Sequence, residues 1–167
     1  MIFVLARTVD IQMAVDLLEP IEEKLSHPIH EAAYAYWVSL RARAQQLPAR
    51  SHIDPVDIPR LLPWINLIEV HHKTCGLRYR HRLVGTGIVD MRERDGTGRW
   101  FEDLYDRATI RKLRGTLDPV ATDGHPRIVR GNLGITGKGF LDYSSLVLPL
   151  AEDGVRVDML MGVSVYD

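Results

Sequence analysis

The sequence predicts an α+β domain: an antiparallel five-stranded sheet with helices on one face and an N-terminal helical extension. Three observations carry that expectation. Apolar residues recur at three- and four-residue steps before residue 48 and alternate from residue 65 onward, a change from the helical period to the strand period. Two strand-like runs precede a mostly helical stretch, and three longer runs follow it. Short polar or glycine-bearing connections separate neighbouring runs within each set, as hairpins require and parallel crossovers do not.

Taken in order, residues 28–47, "PIHEAAYAYWVSLRARAQQL", read as an amphipathic helix. Ile29, Ala33, Tyr36, Leu40, Ala44 and Leu47 share its apolar face, and Arg41 and Arg43 lie off it. Pro28 suits the first turn and Pro48 the stop. Residues 9–25 are a candidate earlier helix, interrupted by Pro20. "IDPVDIPRLLPW" is proline-paced and is expected to be a stiff connector with at most one short turn. Strands are expected at 65–70, 77–84, 127–135, 140–150 and 155–166. "TGKG" at 136–139 and "EDG" at 152–154 are the hairpin connections of the last three. Between the two sets, short helical pieces are separated by Gly96 and Gly98. Asp106 then caps a helix carrying Ile110, Leu113 and Leu117 inward, which Gly124 ends.

Composition excludes several classes. Net charge is −1 from 21 basic and 22 acidic residues, so no global field favours nucleic acid or an anionic membrane. A single cysteine, Cys75, excludes an intramolecular disulfide and fits a reducing, cytoplasmic setting. No apolar run approaches a membrane span, and the run in "MIFVLAR" is too short for a signal-peptide core. A length of 167 residues suits one core, so residues 28–167 are expected to be a single domain and 1–27 a partly helical extension.

Chemical motifs are sparse. "YRHRLVGTG" at 79–87 offers Gly85 and Gly87 for a dinucleotide loop, but Asp90 stands at the third glycine and would bring a carboxylate towards the pyrophosphate. "GNLGITGKG" at 131–139 lacks the first glycine and the magnesium-binding hydroxyl of a phosphate loop and reads as a hairpin. His71, His72 and Cys75 cluster in a polar turn, but neighbouring strand residues diverge, so no metal site is expected. No nucleophile elbow occurs, and the adjacent acidic pairs Glu102–Asp103 and Glu152–Asp153 should point apart. In "LRYRHRLV" the alternation puts Arg78, Arg80 and Arg82 on one face and Tyr79, His81 and Leu83 on the other. Together with Arg92, Arg94 and Arg99 these arginines form either a solvated sheet face and exposed helix or a docking patch for an acidic partner or anionic second messenger.

Several spaced words resemble one known family. "YW" at 36–37, "LPARSHIDPVDIPRLLPWI" at 47–65, "YRHRLVGTGI" at 79–88 and "RDGTGRWFEDL" at 94–104 are similar to small alphaproteobacterial PAS-like proteins, and the strand pattern is that of a PAS domain. The resemblance covers roughly residues 28–166. It implies a PAS fold with strand order 2-1-5-4-3 and a free-standing sensory or adaptor module without catalysis. Such a module binds a small molecule, a signalling protein or both, and its output passes through contact with another protein. PAS domains often pair through N-terminal helices, so a homodimer is expected from an apolar helix face that needs a partner.

In a PAS sheet the inner face of the second strand borders the pocket. Tyr79, His81 and Leu83 are therefore pocket candidates, with His125, Asn132 and Tyr143 as the groups expected to satisfy a buried His81. Trp64, Trp100 and Phe101 are expected in the core. The resemblance implies no tightly held flavin, because Cys75 falls in a turn rather than in a helical motif near the pocket; no metal is expected, and of the haem-binding variants His81 and His125 would be the axial candidates. The alternative is a small cone-shaped enzyme using His81 or His125 with Asp142 as an acid–base pair.

Overall fold

The computed structural model describes residues 21–135 and 139–167, and only the backbone of residues 133–135, 139 and 140. Residues 9–20 of the helix expected over 9–25 and residues 136–138 of the "TGKG" connection at 136–139 lie outside the described residues. A short helix α1, Ile21–Lys24, leads into α2, Pro28–Ala44. The side chain of His27 accepts from the Ile29 amide at the start of α2, Pro28 occupies the first turn, and Gln45 adopts a left-handed conformation at the end. That ending comes before Leu47, so α2 is shorter than the apolar pattern suggested.

The proline-paced connector is more ordered than expected. It contains three 3₁₀ turns, Arg50–His52, Pro55–Asp57 and Leu62–Trp64. Proline at the first position of a turn costs nothing there, because its missing N–H would be unpaired anyway. β1 (Ile65–Lys73) and β2 (Gly76–Val84) form the first hairpin. Helices α3 (Thr86–Arg92), α4 (Phe101–Leu104) and α5 (Arg107–Asp123) follow. Asp106 caps α5 by accepting from the Thr109 amide, and Gly124 ends it at φ 70°. β3 (Arg127–Ile135), β4 (Gly139–Leu150) and β5 (Met159–Tyr166) complete the chain.

The sheet is antiparallel with order β2-β1-β5-β4-β3. β5 begins later than its composition indicates, because residues 151–158 form a loop in place of the tight "EDG" turn. Asp153 accepts from the amides of Val155 and Arg156, and Asp158 from that of Glu152, so two carboxylates hold the loop open.

Both faces of the sheet are covered. On one, Leu146, Leu148, Leu150, Met161, Val163, Ile65 and Leu67 pack against Ala33, Trp37 and Leu40 of α2 and against Ile53, Ile58 and Leu61 of the connector. On the other, Ile68, Val70, Val147 and Leu160 pack against Phe101 of α4 and Leu117, Val120 and Ala121 of α5. The N-terminal helix therefore folds back on its own sheet. The buried face of α2 is covered by this chain's own sheet and connector.

The buried stripe of α2 also differs from the expected one, being His30, Ala33, Trp37 and Leu40. His30 and Trp37 enter the core because each brings a ring N–H to the sheet. His30 Nε2 donates to the Val163 carbonyl oxygen at 2.9 Å, and Trp37 Nε1 to that of Pro149 at 2.9 Å.

The glycines of "VGTG" pack against the connector. A Cβ on Gly85 would come within 3 Å of the carbonyl oxygens of Leu62 and Pro63, and one on Gly87 would meet the Trp64 ring. The "LLPW" and "VGTG" words, apart in sequence, are one packed junction. No phosphate loop is needed to explain either glycine.

Candidate functional site

The sheet face beneath α3–α5 is divided. Tyr79, Val70, Ile68, Leu160 and Val147 form an apolar part under α4 and α5. Beyond it the residues turn polar or small: Asn66 lies opposite Gly162, Ser145 opposite Ser164, and Tyr143 opposite Tyr166. His81, paired with Ile68, lies diagonally across β1 from Asn66.

His81 is 3% exposed and its ring packs on Phe101 with centroids 4.7 Å apart. Its Nε2 is 3.0 Å from the Tyr105 hydroxyl, while Nδ1 is buried without a hydrogen-bond partner. A Cβ on Gly96 would stand 3.3 Å from the imidazole, so that glycine is what allows the 94–99 segment to close over the ring. Burial pushes the imidazole pKa down to about 4, helped by the charge of Arg92 and opposed by that of Asp95. The ring is therefore neutral at physiological pH. Asn66 is 6% exposed, and its Oδ1 is a second buried polar atom without a partner. It occupies the space above Gly162, where a Cβ would come within 2.8 Å of it.

Two more contacts complete the cluster. Ser145 and Ser164 join their hydroxyls at 2.9 Å. Arg92, the last residue of α3, donates from Nε to the Tyr166 hydroxyl at 2.8 Å. Burial raises the Tyr166 pKa, with the Arg92 charge opposing, so the phenol keeps its proton.

Of the predicted pocket residues, Tyr79, His81 and Tyr143 are buried on this face. The Tyr79 hydroxyl donates to Asp118 at 2.6 Å and ties β2 to α5, while Arg114 pairs with the same carboxylate. The Tyr143 ring lies across the backbone of Gly131.

Leu83 is not in the cluster. It pairs with Leu67, whereas His81 pairs with Ile68, so Arg82 is an extra residue in β2. Such a bulge breaks the alternation and turns Leu83 to the opposite face, 43% exposed. His125 is exposed beside Asp123, and Asn132 is exposed and donates to Asp142 at 2.6 Å. Neither reaches His81, whose partner is Tyr105. The proposed acid–base pairs do not assemble either. Asp142 is exposed on β4, separated from His81 on β2 by two strands.

The arginine face is largely self-compensated. Arg78 pairs with Glu102 at 3.0 Å and stacks over Trp100 at 4.3 Å. Arg80 and Arg82 both approach Glu69, at 3.7 and 4.0 Å. Trp100 is thus a platform for surface cations rather than a core residue, while Phe101 is buried and Trp64 packs at the core margin. Among the described residues no group of three or more His, Cys, Asp or Glu is placed to hold a metal ion. His71 bonds Glu69, His72 donates to the Val157 carbonyl oxygen, and Cys75 is exposed.

Sequence reasoning missed Asn66, Tyr105, Ser145, Ser164 and Tyr166, and reached Arg92 only as a member of the arginine cluster. Asn66 carried the one available signal, a polar residue within the apolar run "INLIEV".

An antiparallel sheet in the order β2-β1-β5-β4-β3, with short helices over one face, is the architecture of a PAS-like α+β module. A family model described as a PAS domain matches residues 25–165, and the chain belongs to that family. Its class is therefore sensing and signalling. No curated protein matches the chain. Among the described residues no helix is long and apolar enough to cross a membrane.

Proposed function

We propose that this PAS domain is a sensory or adaptor module that receives a small molecule in the polar cluster beneath α3–α5. It signals by contact with a protein partner rather than by catalysis. The observation supporting this is the pair of deeply buried polar atoms without partners, His81 Nδ1 and Asn66 Oδ1, on one sheet face. Leaving such an atom unsatisfied costs about 1–3 kcal/mol, a cost that a bound polar molecule or ordered water would remove. The resemblance to small alphaproteobacterial PAS proteins agrees with a bacterial, cytoplasmic signalling role. Flavin and haem fit the site poorly, since Cys75 is exposed at the β1–β2 turn and His81 Nε2 is engaged by Tyr105.

Native mass spectrometry of the purified protein tests the reading, with an absorption spectrum of the same sample. A non-covalent small-molecule adduct without visible absorbance, lost in His81→Phe, is expected. An adduct unchanged in that variant would remove His81 from the site, and a visible band would replace this reading with a chromophore.

A further inference from the structure

Five arginines among the described residues are partly buried: Arg78, Arg80, Arg92, Arg114 and Arg127. Four of them face a carboxylate, namely Glu102, Glu69, Asp118 and Asp123 respectively. Arg92 has none. Among the described residues its contacts are neutral: the Nε bond to the Tyr166 hydroxyl and the face of that ring, 5.9 Å from the guanidinium carbon. A partly desolvated cation normally gains an anionic partner, because the desolvation cost is otherwise uncompensated.

The surroundings of Arg92 favour donation. Ser145, Ser164 and Tyr166 are hydroxyl-bearing and neutral. If the Tyr105 hydroxyl donates to His81 Nε2, the neutral ring carries its proton on Nδ1, and the unpartnered atom is a donor as well. Asp95, the acid nearest to His81, is exposed and spends its carboxylate on the Thr97 amide. Among the described residues the cluster thus joins one guanidinium without a carboxylate partner, neutral donors, the acceptor Asn66 Oδ1 and an adjoining apolar surface at Ile68 and Leu160.

We propose that Arg92 makes this polar cluster selective for a small organic carboxylate, whose head group takes the guanidinium fork and whose apolar body lies towards Ile68 and Leu160. This inference rests on the small-molecule reading above. A planar fork matches a carboxylate in two parallel hydrogen bonds. A single cation is too little to offset the desolvation of a phosphate dianion, so inorganic phosphate is expected to bind weakly.

Titration of the full chain with butyrate and benzoate tests the proposal, with butyramide, benzamide and inorganic phosphate as matched controls. Calorimetry and thermal melts are the readouts. At least one carboxylate should bind tenfold or more tightly than its amide and than phosphate, and should raise the melting temperature. Arg92→Gln, which keeps an N–H for Tyr166, should remove that preference. Tyr166→Phe, which loses the hydrogen bond but keeps the cation, should retain it within about threefold. Amides binding as well as carboxylates would overturn the role of Arg92 and leave the small-molecule reading standing. Binding of none of the five probes would overturn the carboxylate proposal, while a small-molecule adduct seen in native mass spectrometry would still uphold the small-molecule reading. Unchanged preference in a folded Arg92→Gln protein would also overturn it. The carboxylate–amide comparison on the unaltered chain stands even where Arg92→Gln fails to fold.

Discussion

His81 converts its burial into a pH response. Its folded pKa lies near 4 against an ordinary 6.5, so between those values the unfolded chain binds the extra proton and the fold does not. Stability is therefore full above pH 6.5, falls as pH drops towards 4, and levels off for this group below that. The loss amounts to roughly 3 kcal/mol over that span. Urea melts at a series of pH values should show this slope, and His81→Phe should flatten it, leaving the smaller part that His30 contributes through its own burial-lowered pKa. Gly85 gives a second residue-scale expectation. A Cβ there runs into two backbone carbonyls, which cannot move aside as a flexible side chain would. Gly85→Ala should cost about 1–3 kcal/mol, seen as a lower denaturation midpoint without a changed slope. His81 and Tyr79 were legible in the sequence because alternation fixes a strand's face. Leu83 was not, since one inserted residue at Arg82 leaves the apparent alternation intact while reversing every side chain beyond it.

At the scale of elements, α2 is held by polar contacts inside an apolar seam. Trp37 and His30 each place a ring N–H on a sheet carbonyl, and Ala33 and Leu40 fill the space between. Trp37→Phe removes one hydrogen bond and should cost about 1 kcal/mol. Trp37→Ala also opens a cavity and should cost about 3–5 kcal/mol. Equal losses in the two variants, measured by denaturant unfolding, would show that packing contributes nothing beyond the bond. The helix was legible from its period and prolines, but its buried face was not. A hydrophobicity pattern favours Ile29 and Tyr36, whereas the fold favours His30 and Trp37, whose donors reach the sheet. The 3₁₀ turns of the connector were hidden similarly, because several closely spaced prolines suggest extension as readily as tight turning.

For the whole molecule, the sheet lies between two helical layers, and either layer removed would expose an apolar surface. Deleting residues 1–46 should expose Leu146, Leu148, Leu150 and Val163, and the shortened protein should bind hydrophobic dyes and aggregate in size-exclusion chromatography. A monodisperse, cooperatively melting fragment would show that α2 is dispensable. Strand number and antiparallel pairing could be read from period and turns, and the strand order came from the family resemblance. The polar cluster could not be assembled in the same way. Its members come from β1, β2, β4, β5, α3 and the start of the α5 connection, and no local spacing announces that Asn66, Arg92 and Tyr166 share a space.

The segment at 96–99 has a mechanical meaning. Gly98 donates its amide to the His81 carbonyl, and the His81 amide donates to the Arg99 carbonyl. The free margin of β2 is thereby occupied by the chain's own backbone at the residue whose ring enters the core, which denies that stretch to a foreign strand. The same residue is a pivot with two arms. Its imidazole rests among the enclosed polar groups, and its peptide hydrogen bonds hold a strap that continues directly into Trp100, where Arg78 and Arg80 are stacked. The buried imidazole and the cation-bearing exterior are thus joined through the hydrogen bonds of a single peptide unit.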